Sequence, residues 1–294
     1  MIACVVLNYN DSETTIKLIE DIEKFKRIDK IIIVDNCSQD DSFEKLSQLA
    51  SEKIIVLSTE KNLGYAAGNN VGLKYAIAHF DCDLLIICNP DVLFKESTVE
   101  KIYKFISDHE MVGAVTCKMK CMSDIDLPIA WKLPTFKDCI LENLIILKRI
   151  IGDKIRYNDQ CLSGSRFCEV DVVPGSFFCI SKKTMLDVGF FDENTFLYYE
   201  ENILAAKLKE KSYHNYIMAE DEYIHNHSVS INKSIKSVRE RLLIASRSRL
   251  YYCKHYLKIK KWQEVLFNIT VAVGVNDYVL LKSIIKTIKK GVMG

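Results

Sequence analysis

Clusters of polar side chains follow the apolar runs in the first hundred residues of this 294-residue chain, at positions where strands would end. The clusters are Asn8-Tyr9-Asn10, Asp35-Asn36-Cys37-Ser38, the segment NLGYAAGNNVG at 62–72, and Asn89-Pro90-Asp91. An acid after a strand can accept hydrogen bonds from a ribose or a base, and Gly64, Gly68 and Gly72 permit a close backbone approach at the start of a helix. Each feature alone is also typical of a turn or cap, and no complete phosphate-loop motif is present. Their joint order favours the nucleotide-binding edge of a sheet.

The elements that would position these clusters alternate between strands and helices. Short apolar, β-branched runs cover residues 2–7, 30–34, 53–57 and 83–88, which is typical of strands buried on both faces. Helical spacing occurs between them at 12–25, 40–49 and 65–80. Four alternations predict an α/β fold with a mainly parallel central sheet flanked by helices.

The remainder of the chain is less regular. Strands are predicted at 111–117, 169–173 and 176–180, and helices at 136–151, 181–189 and 199–211. The pattern is helical from residue 234 to the end. These features predict one domain over 1–232 and a helical C-terminal extension over 233–294.

Composition excludes a disordered or low-complexity chain, because 49% of the residues are hydrophobic and 27% are charged. Eleven cysteines without a paired spacing favour reduced thiols in the cytoplasm. The N-terminus lacks the pattern of a signal peptide, and no uncharged apolar run reaches the ~18 residues of a spanning helix. We therefore expect a cytoplasmic protein, or one bound peripherally to the inner face of the cell membrane.

The C-terminal segment is strongly basic although the whole chain has a net charge of +1. Residues 231–294 contain 14 Lys and Arg against three acids, and apolar residues and Trp262 alternate with them. Basic amphipathic helices of this kind are typical of a membrane-surface anchor. A homodimer interface, packing on the catalytic domain and a solvated basic face are the alternatives. Nucleic acid is not expected as a partner, because no recognition motif accompanies the charge.

The succession of motifs resembles family 2 glycosyltransferases with the GT-A fold, in particular the rhamnosyltransferase-like branch that builds bacterial surface and capsular polysaccharides. The four clusters above are followed by PGSFF at 174–178, VGFFDE at 188–193, FLYYEE at 196–201 and HNHSVS at 225–230. All occur in the family's order over roughly residues 1–255. The resemblance implies a nucleotide-sugar half at about 1–117 and an acceptor half at about 118–232.

The activity implied by this resemblance is inverting transfer of a sugar from an NDP-sugar, such as dTDP-rhamnose or a UDP-sugar. The acceptor would be a glycan or an undecaprenyl-type lipid-linked glycan. The residues that match the family's donor site are Asn8, Tyr9, Asn10, Asp35, Asn62, Gly64, Gly68, Asn69 and Asn89.

A divalent cation is implied as well, because the departing diphosphate is negative and Mg²⁺ or Mn²⁺ would act on it as a Lewis acid. Asp91 matches the metal ligand of the family's DxD-type motif, and Asn89 replaces that motif's first acid. A second ligand is expected from His225 or His227, which would face the same side of an extended segment. His225 fits the family spacing better, and a surface or structural histidine is the alternative for either.

The acceptor hydroxyl is a weak nucleophile and needs a general base. The family's acidic pair corresponds to Glu200-Glu201 at a helix start, where the dipole favours the carboxylate form. We assign the base to Glu201 and keep Glu200 as second choice; first-turn acids that only complement the dipole are the alternative. The family's usual Asp and Arg in this helix are Ile203 and Lys207 here.

Two other functions are compatible with parts of the pattern. The departures at Asn89, Ile203 and Lys207 keep open a catalytically degenerate protein that binds a sugar nucleotide or scaffolds a polysaccharide assembly complex. A nucleotidyltransferase ranks lower, because residues 8–15 contain neither the Gly nor the Arg of a basic glycine-rich loop.

Overall fold

The computed structural model describes residues 1–121, 128–152, 154–157, 166–225 and 237–292, with the backbone only for 278–292. The chain forms two compact units. The first contains residues 1–133 and 156–236, and the second contains 134–155 and 237–294. Residues 134–155, which the sequence analysis assigned to the first domain, thus belong with the C-terminal helices.

The first unit is built on one mixed sheet, in which the described residues contribute nine strands. The strands are β1 Ile2–Asn8, β2 Lys30–Asp35, β3 Ile54–Ser58, β4 Leu84–Cys88, β5 Val92–Leu93, β6 Val112–Cys121, β7 Phe167–Val170, β8 Phe177–Ser181 and β9 His214–His225. Their order is β3-β2-β1-β4-β8-β6-β9-β5, with β7 also paired to β9.

The first four strands are parallel, as the strand–helix alternation predicts. Beyond β4 the sheet is mixed, because β8 runs antiparallel to both β4 and β6 while β6 and β9 are parallel. The adjacent parallel strands β2, β1 and β4 end at the same edge. The polar clusters after them are therefore neighbours.

Helices cover both faces of this sheet. These helices belong to the first unit and are α1 Ser12–Ile22, α2 Ser42–Ser47, α3 Gly64–His79, α4 Glu96–Asp108, α7 Lys182–Val188 and α8 Glu200–Glu210. The second unit contains the helices α5 Phe136–Asn143, α6 Ile145–Ile151, α9 Val238–His255 and α10 Lys261–Val292. Alternate strand residues face two separate cores. One core contains apolar side chains of α1, α2 and α4, and the other those of α3, α7 and α8.

In the second unit, α5 and α6 pack against α10, and α9 packs against α5 and α10. The sequence predicts one helix over 136–151, but the chain breaks at Leu144 (φ −93°, ψ 83°). Asn143, just before the break, donates from Nδ2 to the Thr270 hydroxyl at 3.0 Å. The Arg249 Nε lies 2.9 Å from the Glu142 carboxylate. Within the described residues, no helix combines the length and apolar character needed to cross a bilayer.

Candidate active site

The ends of β1 and β2 are tied together by buried polar side chains. Asn8 donates from Nδ2 to Asp35 Oδ1 at 2.8 Å, and its own Oδ1 accepts from the Thr15 hydroxyl at 2.8 Å. The Ser38 hydroxyl donates to Asp35 Oδ1 at 2.6 Å, and the Ser38 N–H donates to Oδ2 at 3.0 Å. Asn8 and Asp35, both predicted to contact the donor, therefore bind each other and fix the loops that follow their strands.

The loops after β1 and β2 form the accessible surface at this edge of the sheet. The Asn10 N–H donates to the Ser38 hydroxyl at 2.9 Å, and Asn10 Oδ1 accepts from the Gln39 N–H at 2.7 Å. Asn10 has a positive φ of 53°, which turns the chain sharply after β1. Tyr9 and Asn10, which the sequence predicts at the donor site, are half-buried at this edge.

The start of α3 is held by Asn62 and shaped by two glycines. Asn62 Oδ1 accepts from the Gly64 N–H at 2.9 Å, and Gly64 (φ +80°) lies against the backbone of Phe196, where a Cβ would have no room. A Cβ on Gly68 would lie 2.6 Å from Leu7 Cδ1, so this glycine lets α3 approach the sheet. Gly68 stays a predicted donor-site residue, and the side on which a Cβ would lie faces Leu7 of β1.

Asn69, one turn into α3, is buried and donates from Nδ2 to the carbonyl of Tyr65 at 3.0 Å. Its Oδ1 is buried, and no residue in the described part of the chain donates a hydrogen bond to it. A buried polar atom left without a partner is costly.

Asp91 and His225 are brought together by strand pairing, because Val92 of β5 pairs with His225 at the end of β9. Asp91 Oδ1 lies 3.2 Å from His225 Nε2, and the two side chains are 7% and 9% exposed. Neighbouring ligands of an octahedral Mg²⁺ lie about 3.0 Å apart, so the pair fits two adjacent positions on such an ion. Carboxylate oxygen suits Mg²⁺ and Mn²⁺, and imidazole is a common metal ligand.

The other predicted residues near this pair are Asn89 and His227. Asn89 is half-buried, and its N–H donates to the carbonyl of Ser176 at 2.8 Å. His227 lies outside the described residues. Among the residues that are described, no group of three or more His, Cys, Asp or Glu side chains could hold a metal. A cation at Asp91 and His225 would therefore take further ligands from a bound substrate, water or the undescribed part of the chain.

The acidic pair opens α8 after a strained stretch of backbone. Tyr198 (φ 72°) and Tyr199 (φ 70°) both adopt the left-handed conformation, which costs ~1–3 kcal/mol per residue and is concentrated at functional sites. The turn directs Glu200 and Glu201 into the first turn of α8. The backbone is therefore strained directly before the two carboxyl groups.

Burial raises the pKa of both carboxyl groups. Glu201 is half-buried, and the N–H groups of Glu201 itself and Gly175 partly offset the increase by donating to the carboxylate. Glu200 is buried, and its Oε1 has no hydrogen-bond partner among the residues that the structure describes. Its pKa lies well above the ordinary value because of burial and then the nearby charge of Glu201. Glu200 is therefore the member of the pair that holds a proton more readily.

The loop between β7 and β8 connects the Asp91 side of the site with the Glu201 side. The Gly175 carbonyl accepts from the Tyr65 hydroxyl at 2.6 Å, while the Gly175 N–H faces Glu201. Next to it, the Ser176 hydroxyl lies 2.7 Å from the Tyr223 hydroxyl. Burial raises the pKa of Tyr223, and the charges of Asp91 and Glu201 raise it further. Both acids therefore lie within electrostatic range of this tyrosine.

Tyr65, Ser176 and Tyr223 are the site residues to which the sequence analysis gave no role. Tyr65 and Ser176 lie within the motifs NLGYAAGNNVG and PGSFF, and that position is the signal that could have identified them.

The two residues of α8 that differ from the family pattern, Ile203 and Lys207, also have defined positions. Ile203 is buried in the unit, and Lys207 donates from Nζ to the Phe190 carbonyl at 2.6 Å. Lys207 therefore holds the loop after α7.

Solved structures with the same fold include glycosyltransferases. Staphylococcus aureus TarS 1–349 in complex with UDP-GlcNAc superposes with a TM-score of 0.56 at 15% identity, over 94% of this chain and 71% of that one. The mannosyltransferase PcManGT from Pyrobaculum calidifontis, in complex with GDP-Man and Mn²⁺, gives 0.58 at 11% identity, over 97% and 79%. The GT-A fold expected from the sequence is thereby confirmed.

The sequence itself matches a family model. The chain belongs to glycosyl transferase family 2, whose model matches residues 3–164. It is similar to the low-salt glycan biosynthesis hexosyltransferase Agl10 of Haloferax volcanii, with 21% identity over 200 residues, which are 68% of this chain and 59% of Agl10. It is also similar to rhamnosyltransferase WbbL of Escherichia coli K12, with 23% identity over 217 residues, 71% of this chain and 76% of WbbL.

Proposed function

We propose that the protein is an inverting, metal-dependent glycosyltransferase that moves a sugar from an NDP-sugar to a glycan or lipid-linked acceptor in polysaccharide biosynthesis. The observation that carries the proposal is the pairing of Asp91 Oδ1 with His225 Nε2 at 3.2 Å, at the sheet edge where β1 and β2 also end. The Gly175-Ser176 loop lies next to both parts of the site, because the Gly175 N–H donates to Glu201 and the Ser176 carbonyl accepts from the N–H of Asn89, two residues before Asp91. Membership of glycosyl transferase family 2 supports this reaction class.

The donor half of the proposed site lies over the ends of β1, β2 and β4. Tyr9 and Asn10 would contact the nucleotide, and the free acceptor atom of Asn69 would bind a donor hydroxyl. Asp91 and His225 would hold Mg²⁺ or Mn²⁺. When bound, that ion supplies Lewis-acid stabilisation of the negative charge on the departing diphosphate.

The base half of the proposed site is Glu201. Its carboxylate accepts the proton of the acceptor hydroxyl while that oxygen bonds to the anomeric carbon, and the carbon–oxygen bond to the diphosphate breaks with its electron pair on the leaving oxygen. Direct displacement inverts the anomeric centre. The raised pKa of Glu201 improves it as a base near neutral pH, because proton transfer is most efficient when the pKa lies close to the working pH.

Donor and acceptor follow from the relatives as part of this proposal. The similarity to a hexosyltransferase and a rhamnosyltransferase supports a hexose or 6-deoxyhexose on a nucleoside diphosphate. The solved structures of similar fold, TarS with UDP-GlcNAc and PcManGT with GDP-Man, support the same class of donor. We propose dTDP-rhamnose and UDP-sugars as the first donors to test.

The test is a thermal-shift series on the full chain with each NDP-sugar, with Mn²⁺, with both and with neither. We expect the melting temperature to rise most when donor and Mn²⁺ are present together. Asp91→Asn keeps the size of the side chain and removes its charge, so the combined shift should vanish while the shift from donor alone persists. Asp81→Asn, a fully exposed acid outside the site, is the matched control.

Turnover completes the test with the donor that gives the largest shift. We expect sugar release or transfer to require Mn²⁺ or Mg²⁺ and to fall at least about 100-fold in Asp91→Asn. Wild-type turnover in the presence of a chelator, or in Asp91→Asn, would contradict the metal assignment. Donor binding without turnover across a broad acceptor panel would instead favour a catalytically degenerate binding protein.

A further inference from the structure

The exposed side of α10 carries a continuous apolar stripe. Trp262, Val265, Leu266, Ile269 and Val273 follow one another at helical spacing, and Trp262 is 62% and Ile269 55% exposed. The opposite side of the helix is buried in the second unit through Phe267, Thr270 and Gly274. Contiguous exposed apolar residues of this kind mark an interaction surface.

A second helix of the same unit exposes apolar side chains as well. In α6, Leu147, Ile150 and Ile151 are exposed, and Ile150 reaches 77%. Eight of the fourteen large apolar side chains that are exposed among the described residues lie in the second unit, which has fewer than a third of the residues. Exposed apolar surface is therefore concentrated in this unit.

Basic residues surround the beginning of the stripe. Lys254, Lys258, Lys260 and Lys261 are all exposed and directly precede Trp262. Glu264, the acid in the first turn of α10, already binds Lys254 at 3.1 Å and Lys261 at 3.0 Å. Across the second unit, sixteen Lys and Arg stand against six Asp and Glu. A partner of this surface must be apolar in part and negatively charged.

We propose that the outward stripe of α10, residues 262–273, binds the surface of a bilayer that contains anionic lipid. The helix would lie parallel to the surface with its apolar side chains at the boundary of the acyl chains and its lysines at the phosphates. Trp is enriched at that depth, and a helix with an apolar face and a basic rim binds there without spanning the bilayer.

Charge argues against the other occupants of this surface. A symmetric dimer through the stripe would bring together two units that each carry sixteen Lys and Arg against six Asp and Glu, and like charges across an interface are unfavourable. A nucleic acid would engage the lysines and leave the aliphatic side chains in water. An anionic bilayer matches both the apolar stripe and the lysines.

The inference deepens the proposed function, since a lipid-linked acceptor would be reached at such a surface. Its test does not use turnover, so the two can fail separately. The full chain is sedimented with vesicles of phosphatidylglycerol and phosphatidylcholine in equal parts, and with vesicles of phosphatidylcholine alone. We expect binding to the anionic vesicles that weakens as salt is added.

Two double variants separate the apolar and the electrostatic contributions. Val265→Asp with Ile269→Asp introduces charge at two exposed positions, so the fold is kept and the fraction bound should fall about tenfold or more. Lys258→Glu with Lys260→Glu should lower binding and its salt dependence. The control is Phe43→Asp, an exposed apolar residue in α2 of the first unit, which should bind like the wild type.

Three results would overturn the proposal. One is no binding to anionic vesicles, and another is unchanged binding by Val265→Asp with Ile269→Asp. The third is a wild-type dimer, seen by light scattering, that this variant converts to a monomer without any vesicle binding by either form. That result would assign the stripe to a second copy of the chain. Loss of turnover with intact vesicle binding would count only against the proposed enzymatic function.

Discussion

Replacing Gly175 with alanine is expected to damage the proposed reaction while leaving the fold intact. A Cβ at this position would lie 2.7 Å from Glu201 Oε1, 2.9 Å from its Cγ and 3.1 Å from its Cδ. The contact is with a flexible side chain, so the Glu201 carboxylate can move away instead of the backbone. Because non-bonded carbon atoms prefer about 3.5–4.0 Å, that movement is about 0.5–1 Å.

The movement sets the size of the effect. A catalytic group misplaced by about 1 Å costs up to about 100-fold in rate. We therefore expect kcat of Gly175→Ala to fall by about 10- to 100-fold, with the KM for the donor little changed. The Gly175 N–H also donates to the carboxylate, and loosening that bond should raise the pKa of Glu201 further. The acid limb of the rate profile should then move to higher pH.

The assay measures sugar release from the donor selected by thermal shift, together with the melting temperature of each variant. Gly189→Ala is the matched control, because Gly189 has open space around its Cβ position but a φ of +71°. Alanine there is strained by about 1–2 kcal/mol, so this variant should melt earlier and turn over like the wild type. The two glycine variants are thus expected to show opposite effects.

The reasoning is refuted if Gly175→Ala turns over within twofold of the wild type while its melting temperature is unchanged. Such a result would mean that the position of the Glu201 carboxylate does not limit the reaction. If Gly175→Ala also melts at a lower temperature, the Gly189→Ala control shows how much turnover is lost through reduced stability alone.

Two further predictions concern the acidic pair. Burial raises the pKa of Glu201, and a general base must be ionised to accept a proton. We therefore expect kcat/KM to fall as the pH drops through a pKa that is higher than the pKa of an exposed glutamate. A pH profile that is flat down to pH 4 would exclude Glu201 as the base. Glu200 has a raised folded-state pKa, so the folded chain binds the extra proton and stability falls as pH rises above the unfolded value of ~4.3. Glu200→Gln removes this loss of stability, so the variant should melt at a higher temperature than the wild type at pH 7, by about 2–4 °C for each ~1 kcal/mol of stability gained. The gain should shrink towards pH 4. An equal gain at both pH values would contradict a raised pKa of Glu200.

The parts of the fold that follow from local pattern were predictable. The first four strands are runs of apolar residues, and the structure confirms their parallel pairing. Strands β1, β2 and β4 are buried on both faces as predicted, whereas β3 at the edge of the sheet is only half-buried. The helix after β8 is also confirmed, with Ser181 accepting from the Thr184 N–H at its start and Gly189 in the left-handed conformation at its end. In both cases neighbouring residues alone determine the element.

Elements that depend on distant partners were missed. Strand β9 contains Glu220, Asp221 and Glu222 in its middle, which no apolar pattern would assign to a strand. The register against β6 jumps there, from Met218 opposite Cys117 to Glu222 opposite Lys118, so a bulge absorbs the intervening residues. Asp221 is buried because Lys101 of α4 binds both its oxygens at 2.9 Å. Helix α4 had a usable signal in Val99, Ile102 and Phe105, which face the core at helical spacing.

The same limit applied to the site. Asp91 and His225 are 134 positions apart, and only the pairing of β5 with β9 makes them neighbours. Tyr223 lies on the strand that the pattern did not reveal. Asn8 and Gly68 stay predictions as donor-site residues, since a motif identifies residues without separating those that touch a ligand from those that support the fold. Asn8 binds Asp35, and Gly68 packs on Leu7.

Asn89, which stands where the family's motif has an acid, affects how strongly a cation and the donor would bind. Asp91 and His225 by themselves offer a cation a single negative charge and two ligands, and the described residues contain no metal-holding group of three or more His, Cys, Asp or Glu side chains. Mg²⁺ demands six oxygen-type ligands and dehydrates reluctantly, so two protein ligands bind it weakly. A donor diphosphate would add both charge and oxygens at the same place. Cation and donor should therefore each increase the affinity of the other by the same factor, as linkage requires, and the Mn²⁺ shift without donor should be small.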